Sequence, residues 1–325
     1  MYRVYITDHE HDYSQIEGKI LVKENAVVIG AHCRTEEEVI DFASRADGIM
    51  VAYAPITQKV MNSLKHCKGI VKYGVGYDNI DVAAATQKGI LVTYVPDYCI
   101  EEVATHTMAL ILSCARRIVQ YDRLVRKLEW GSMIAGQLNR ISGKKLGLLG
   151  FGRIGRKVAV MAKGLGLTLL ASDPYVPPET RKDFNVQFVD LKTLFCESDY
   201  ISIHAPLTDE TRHLVNREEI CMMKKSAFLI NTARGGIIDQ KALIDALMEK
   251  RIAGAALDTY EIEPPENQDP LLKMENVVLT PHAAWYSEEA NRDLRSKAAE
   301  EMARVLRGEI PKYLINQDVL PLIRR

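Results

Sequence analysis

Residues 146–155 read LGLLGFGRIG, an apolar run that ends in glycines at 150, 152 and 155 and continues into the helix-forming RKVAVMAK. So short an apolar stretch with no polar alternation is a strand buried on both faces, the kind a parallel sheet requires. Gly150 permits a tight turn, Gly152 lets backbone approach a ligand, and Gly155 allows close helix-to-strand packing. The unbonded N–H groups of the following helix then face an anion such as a pyrophosphate, with Arg153 able to add a charge. The next strand-like run, LTLLASDPY, ends in Asp173, about twenty residues further on, where a carboxylate holds ribose hydroxyls in a dinucleotide site. An acid there repels a 2′-phosphate, which favours NAD over NADP. The competing reading of Asp173 is a turn or helix cap before Pro174.

The rest of the chain fits this unit into an α/β frame. Tyr2–Ile6, Ala26–Gly30, Gly48–Ala52 and Gly69–Lys72 read as strands, with helical patterns between them at Thr35–Ala46 and Thr57–Lys65. The first hundred or so residues therefore form one α/β domain with a parallel sheet. From Glu101 the segment EEVATHTMALILSCARRIVQYDRLVRKL lacks Gly and Pro and reads as one long connecting helix. A second series, KLGLLG, LTLLASD, YISIHAP, SAFLINTAR, IAGAALD and NVVLTPH, supplies six strand-like runs, the number in a full dinucleotide-binding sheet. A final helix spans Ser287–Arg307 and leaves the last residues free to return to the first domain. The expected domains are 1–100 with 287–325, and 101–286.

Composition narrows the function. The 42 Lys and Arg nearly cancel the 43 Asp and Glu, without a block of like charge, so neither nucleic acid nor an anionic membrane is an expected partner. Cys33, Cys67, Cys99, Cys114, Cys196 and Cys221 lack C-x-x-C or metal-ligand spacing and read as free thiols in a reducing cytoplasm, with no metal expected. MYRVYITDHEHDY has no signal-peptide pattern, and no long apolar run suggests a membrane span. A small molecule is the expected partner.

Three polar residues stand at late strand ends, where open α/β sheets bind ligands. Arg234 follows AFLINTA, Glu263 follows AALDTYEI, and His282 follows VVLTP. Singly they read as a surface ion pair, a solvated loop acid and a structural hydrogen-bonder. Together they supply a proton carrier, a group that tunes it, and a cation for a carboxylate or carbonyl.

LGLLGFGRIGRKVA, HAPLTDETRHLVN, LINTARGGIIDQKAL, AALDTYEIEPP and LTPHAAWYSEEA, in this order and spacing, closely resemble the D-isomer-specific 2-hydroxyacid dehydrogenases. The resemblance covers nearly the whole chain. It implies a Rossmann-type doubly wound parallel sheet for the NAD-binding domain and a smaller flavodoxin-like α/β domain for the substrate. Arg234 is then the clamp on substrate carboxylate and carbonyl, His282 the acid/base, and Glu263 the carboxylate that hydrogen-bonds His282 and raises its pKa. The backbone at Val75 and Gly76, within KYGVGYDNID, would hold the substrate carboxylate; a plain strand-to-helix turn is the alternative. Further cofactor contacts carried over are Ile154, Ala205, Thr232, Ala233 and Asp258, the last at the nicotinamide amide. Thr107 is another, with ordinary helix packing as its alternative. A homodimer is implied, with the apolar face of the connecting helix as its interface.

Some positions depart from the family pattern. Thr105 stands where the family often has an acid. Trp285, in HAAWYSEEA, is similar to the C-terminal binding protein branch and could wall the substrate pocket or serve as a core or interface aromatic. With its last helix close to Arg325, the chain is expected to lack the regulatory domain that many phosphoglycerate dehydrogenases carry. The expected activity is NAD-dependent interconversion of a small 2-keto acid and its D-2-hydroxy acid. Alternatives are a 3-phosphoglycerate or hydroxypyruvate/glyoxylate dehydrogenase, for which Lys72 is a candidate phosphate cation if not a surface lysine, or an NAD-sensing corepressor.

Overall fold

The structure, a computed structural model, describes residues 1–8, 12–182 and 184–324. They form two units, Met1–Cys99 with Ser287–Arg325, and Ile100–Tyr286.

In the first unit, β1 (Tyr2–Ile6), β2 (Ala26–Gly30), β3 (Gly48–Val51), β4 (Gly69–Lys72) and β5 (Leu91–Thr93) form a parallel sheet of order β2-β1-β3-β4-β5. That is the flavodoxin-like order. Its helices are α1 (Glu17–Leu21), α2 (Glu36–Ala43), α3 (Gln58–Ser63) and α4 (Val82–Gln87), joined late in the chain by a long helix, Glu288–Leu306. Helix α2 starts where TEEE places it. The Thr35 hydroxyl accepts from Glu38 N and the Glu38 carboxylate accepts from Thr35 N, satisfying two otherwise unbonded donors. Strand β5 was not foreseen, since three residues are too few to show a period.

The second unit holds β6 (Lys145–Leu149), β7 (Thr168–Ser172), β8 (Gln187–Phe188), β9 (Tyr200–Ile203), β10 (Phe228–Asn231), β11 (Gly254–Leu257) and β12 (Val277–Leu279). The order is β12-β11-β10-β9-β6-β7-β8, every pairing parallel. This is the doubly wound Rossmann arrangement, with the chain reversing direction across the sheet beside β6. Among the described residues seven strands stand where six were expected, because β8 has only two residues. Successive residues of β6 feed different cores: Leu146 and Leu148 pack with Leu169 and Ile230, whereas Leu149 packs with Ile201 and Leu229. Both faces are covered, which explains the unbroken apolar reading of LGLLG. The covering helices are α5 (Ile100–Arg116), α6 (Ile118–Arg126), α7 (Arg153–Lys163), α8 (Pro178–Lys182), α9 (Leu191–Glu197), α10 (Arg217–Met222) and α11 (Gln240–Met248); the late helix of the first unit is α12.

The expected long helix is broken. Arg117 adopts the left-handed conformation, φ 51°, between α5 and α6. The burial pattern gives the reason. Met108, Leu110, Ile111 and Cys114 of α5 pack against Val158 and Ala159 of α7, while α6 buries none of its residues. Tertiary packing holds α5 and stops at Ala115, so nothing forces the helix to continue straight.

Candidate active site and dinucleotide cleft

In a parallel sheet all carboxyl ends lie at one edge, and in the second unit that edge collects the expected residues. The turn after β6 carries the glycines. Gly150 has φ 93°, and a Cβ there would lie 2.5 Å from Ala205 N, so the position excludes any side chain. A Cβ at Gly155 would lie 2.6 Å from Gly150 O, which explains its role in seating α7 on the strand. Gly152 is the N-cap of α7 and has no atom within 4 Å of where a Cβ would stand. The N-terminus of α7 therefore opens on free space, as a phosphate requires. Arg153 is exposed beside it and Ile154 and Ala205 are half-buried.

The Asp173 carboxylate caps a turn and reaches back to the glycine loop. Its Oδ1 accepts from Tyr175 N (2.9 Å), a turn cap before the helix, and its Oδ2 accepts from Phe151 N inside the glycine loop (2.7 Å). A carboxylate has about four acceptor positions, so lone pairs remain for ribose hydroxyls. The open helix terminus, the excluded Cβ at Gly150 and this carboxylate together fit a dinucleotide such as NAD.

Arg234 follows β10, Glu263 follows β11, and His282 follows β12. His282 Nδ1 and Glu263 Oε2 are 2.6 Å apart. Because an ionised carboxylate only accepts, Nδ1 donates, and Nε2 is the nitrogen with which the ring can carry or take a proton. Burial alone would raise the Glu263 pKa. The His282 hydrogen bond and charge, the Tyr260 N–H and the Arg234 guanidinium outweigh that and hold it below the ordinary glutamate value. The Arg234 loop is pressed onto the Glu263 loop, since a Cβ at Gly235 would overlap the Tyr260 carbonyl. Arg234 is half-buried, its Nη1 donating to Ala233 O at 2.8 Å.

His282 has φ 53°, a left-handed backbone that costs a histidine about 1 kcal/mol or more. Asp258 holds it there. Its carbonyl accepts from His282 N (2.8 Å), and its carboxylate accepts from Ala283 N, Ala284 N and the Thr280 hydroxyl.

Two of the expected cofactor contacts also brace their neighbours. Asp258 and Thr107 have no exposed surface. The Thr107 hydroxyl is spent on Val103 O (2.7 Å) and Thr232 Oγ1 (2.9 Å). Thr232 is buried and Ala233 half-buried beside them. Thr105, where the family often has an acid, returns its hydroxyl to Glu101 O within α5.

Sequence reading missed several supports. Asn231, fully buried, donates to Arg234 O (2.9 Å) and accepts from Ala233 N (3.0 Å), fixing the backbone at Arg234. Tyr260 donates its N–H to Glu263 Oε1 and its hydroxyl to Thr280 O. His106 of α5 meets Thr280 Oγ1 at 3.0 Å. Each lies within a quoted motif, but its partner is far away in sequence, and no local pattern reveals that. Trp285 is half-buried, its ring edge-on to Tyr286 with centroids 5.5 Å apart. Val75 and Gly76 lie in the first unit, half-buried on the loop after β4. Lys72 at the end of β4 is not a surface lysine: it is 5% exposed, with its ammonium on Ala52 O and Asn79 Oδ1. Among the described residues, no group of three or more His, Cys, Asp or Glu is placed to hold a metal, and no helix is long and apolar enough to cross a membrane.

Comparison with known proteins agrees with this geometry. A family model described as the NAD-binding domain of D-isomer specific 2-hydroxyacid dehydrogenases matches residues 108–284. A glyoxylate reductase from Korarchaeum cryptofilum is 44% identical over 270 residues, 82% of this chain and 81% of that protein. A D-3-phosphoglycerate dehydrogenase from Methanocaldococcus jannaschii is 39% identical over 99% of this chain, which spans only 60% of that protein's length. The solved D-lactate dehydrogenase of Aquifex aeolicus, complexed with NAD and lactic acid, superposes with a TM-score of 0.86 at 28% identity, covering 96% of this chain and 99% of that one. The chain belongs to the D-isomer specific 2-hydroxyacid dehydrogenases, oxidoreductases that use a nicotinamide dinucleotide.

Proposed function

We propose that the protein reduces a small 2-keto acid to the D-2-hydroxy acid with NADH, and runs the reverse reaction with NAD. The observation that carries this is the His282–Glu263 pair at 2.6 Å, on the same sheet edge as Arg234 and the open terminus of α7. Bound NADH supplies the hydride. His282, with Nδ1 held by ionised Glu263, delivers a proton from Nε2 to the carbonyl oxygen and recovers it in the oxidative direction. Arg234 takes the substrate carboxylate and carbonyl through its planar fork. The N–H groups at Val75 and Gly76 take the carboxylate as well, as the family resemblance implies. Asp173 selects NAD by repelling a 2′-phosphate.

Small keto acids such as glyoxylate, hydroxypyruvate and pyruvate are the proposed substrates, in keeping with the names of the relatives. Phosphoglycerate is less favoured, because the Lys72 ammonium is already engaged by its own loop. No observation favours a corepressor. NADH oxidation with a panel of 2-keto acids tests the reading, and turnover of none of them would refute it.

We also propose a homodimer, through a different surface from the apolar face of α5, which is used inside its own unit. Val125, Leu128, Trp130 and Met133 are exposed at 46, 94, 88 and 84%. So much exposed apolar surface on one segment suits coverage by a second copy. Light scattering that gives the mass of one chain would refute it. Six free cysteines suit a reducing cytoplasm.

A further inference from the structure

The loop that carries Val75 and Gly76 is tied to a buried charged network that the chemistry above does not use. Glu17 of α1 is fully buried and accepts from Arg295 of α12 through both oxygens, Nε to Oε1 at 2.9 Å and Nη2 to Oε2 at 2.7 Å. Arg295 Nη2 also donates to Asp12 O at 2.6 Å. Tyr73, the first residue after β4, sends its hydroxyl to the same Glu17 Oε1 at 3.1 Å. Burial first, then the neighbouring Glu17 charge, pushes its phenol well above the ordinary tyrosine range, so it stays a donor.

A buried ion pair gives little net stability over apolar packing of equal volume, and its best-attested use is to fix one arrangement among several. Here the arrangement concerns the loop. Tyr73 is fixed at its backbone by Tyr73 N to Val51 O (2.8 Å) and at its tip by Glu17. Gly74, φ 142°, then turns the chain away, and its carbonyl accepts from Val95 N. On the other side, Lys72 and Asn79 close the loop onto the carbonyls of Ala52 and Ala54. The N–H groups of Val75 and Gly76 are not among the donors in these bonds.

We propose that Tyr73 is a positioning residue: held by the Glu17–Arg295 pair, it fixes the direction of the Val75 and Gly76 N–H groups that receive the substrate carboxylate. This rests on the reading of that loop given under Proposed function. Steady-state kinetics on the full chain tests it. Tyr73→Phe removes one hydrogen bond and keeps the ring. It is expected to raise KM for the keto acid about fivefold, with kcat and the NADH dissociation constant changed less than about twofold. Arg295→Lys keeps the charge but loses the fork, gives the same KM effect, and serves if Tyr73→Phe does not fold. Gly76→Ala is the control for the loop itself. If Gly76→Ala raises KM while Tyr73→Phe and Arg295→Lys lower only the melting temperature, the network is merely structural and the inference falls. If none of the three moves KM, the loop reading falls with it.

Discussion

At the scale of single residues, the site depends on how His282 is held. Glu263 fixes the ring through Nδ1 and Asp258 fixes the backbone in its left-handed turn. His282→Asn keeps a small polar side chain that tolerates positive φ. It should fold normally, bind NADH as before, and lose on the order of a hundredfold or more in kcat. Glu263→Gln should cost on the order of tenfold, since an amide can still accept from Nδ1 but cannot stabilise the imidazolium. Stopped-flow turnover of both variants checks this. Because the Glu263 pKa lies below the ordinary glutamate value, its ionised form persists throughout the neutral range. An acid limb above about pH 5 in the activity profile should therefore survive in Glu263→Gln. Asp173→Ser removes the charge proposed to repel a 2′-phosphate and should shift the NADPH-to-NADH preference on the order of tenfold.

His204, after β9, gives a stability prediction. Burial lowers its pKa from 6.5 to about 4, and its Nε2 meets the Ser202 hydroxyl at 2.9 Å. The folded state keeps it neutral while the unfolded chain takes up a proton as pH falls through 6.5. Stability from this group is therefore complete above pH 6.5 and is lost between there and about 4. Urea unfolding of the wild type at pH 7 and 5 should show the loss, and His204→Gln should show less of it. An equal loss in both would place the titration elsewhere.

At the scale of elements, what could be read depended on whether a signal is local. The glycine turn was legible because its strand, spacing and helix are contiguous, and α2 and α12 because their caps lie beside their apolar periods. The break at Arg117 was not, since it follows from where α7 packs and not from any Gly or Pro. Strand β8 takes its place in the sheet from its two-residue pairing with β7, for which no sequence period exists. Gly235 belongs to this scale too. Nothing in the sequence around Arg234 shows that the structure uses it to lay one strand-end loop on the next. Gly235→Ala should destabilise the protein by about 3 kcal/mol or more and separate Arg234 from Glu263. Thermal melts together with kcat would show both effects, and a neutral substitution would contradict this packing.

At the scale of the whole molecule, the flavodoxin-like and Rossmann orders of the two sheets were implied by family resemblance more than by periodicity, which gave strands but no order. Arg234, Glu263 and His282 were legible as reactive types at strand ends. Their common location follows from parallel topology, which brings every carboxyl end to one edge. The buried supports Asn231, Tyr260 and the Glu17–Arg295 pair act through contacts between distant positions and were silent. The measurement that tests the account most directly is NADH consumption with glyoxylate, hydroxypyruvate and pyruvate, run side by side for the wild type and His282→Asn. The account predicts turnover of at least one acid by the wild type and near-complete loss in the variant at unchanged NADH affinity. Equal rates in the two proteins, or no turnover of any 2-keto acid by a wild type that binds NADH, would contradict it.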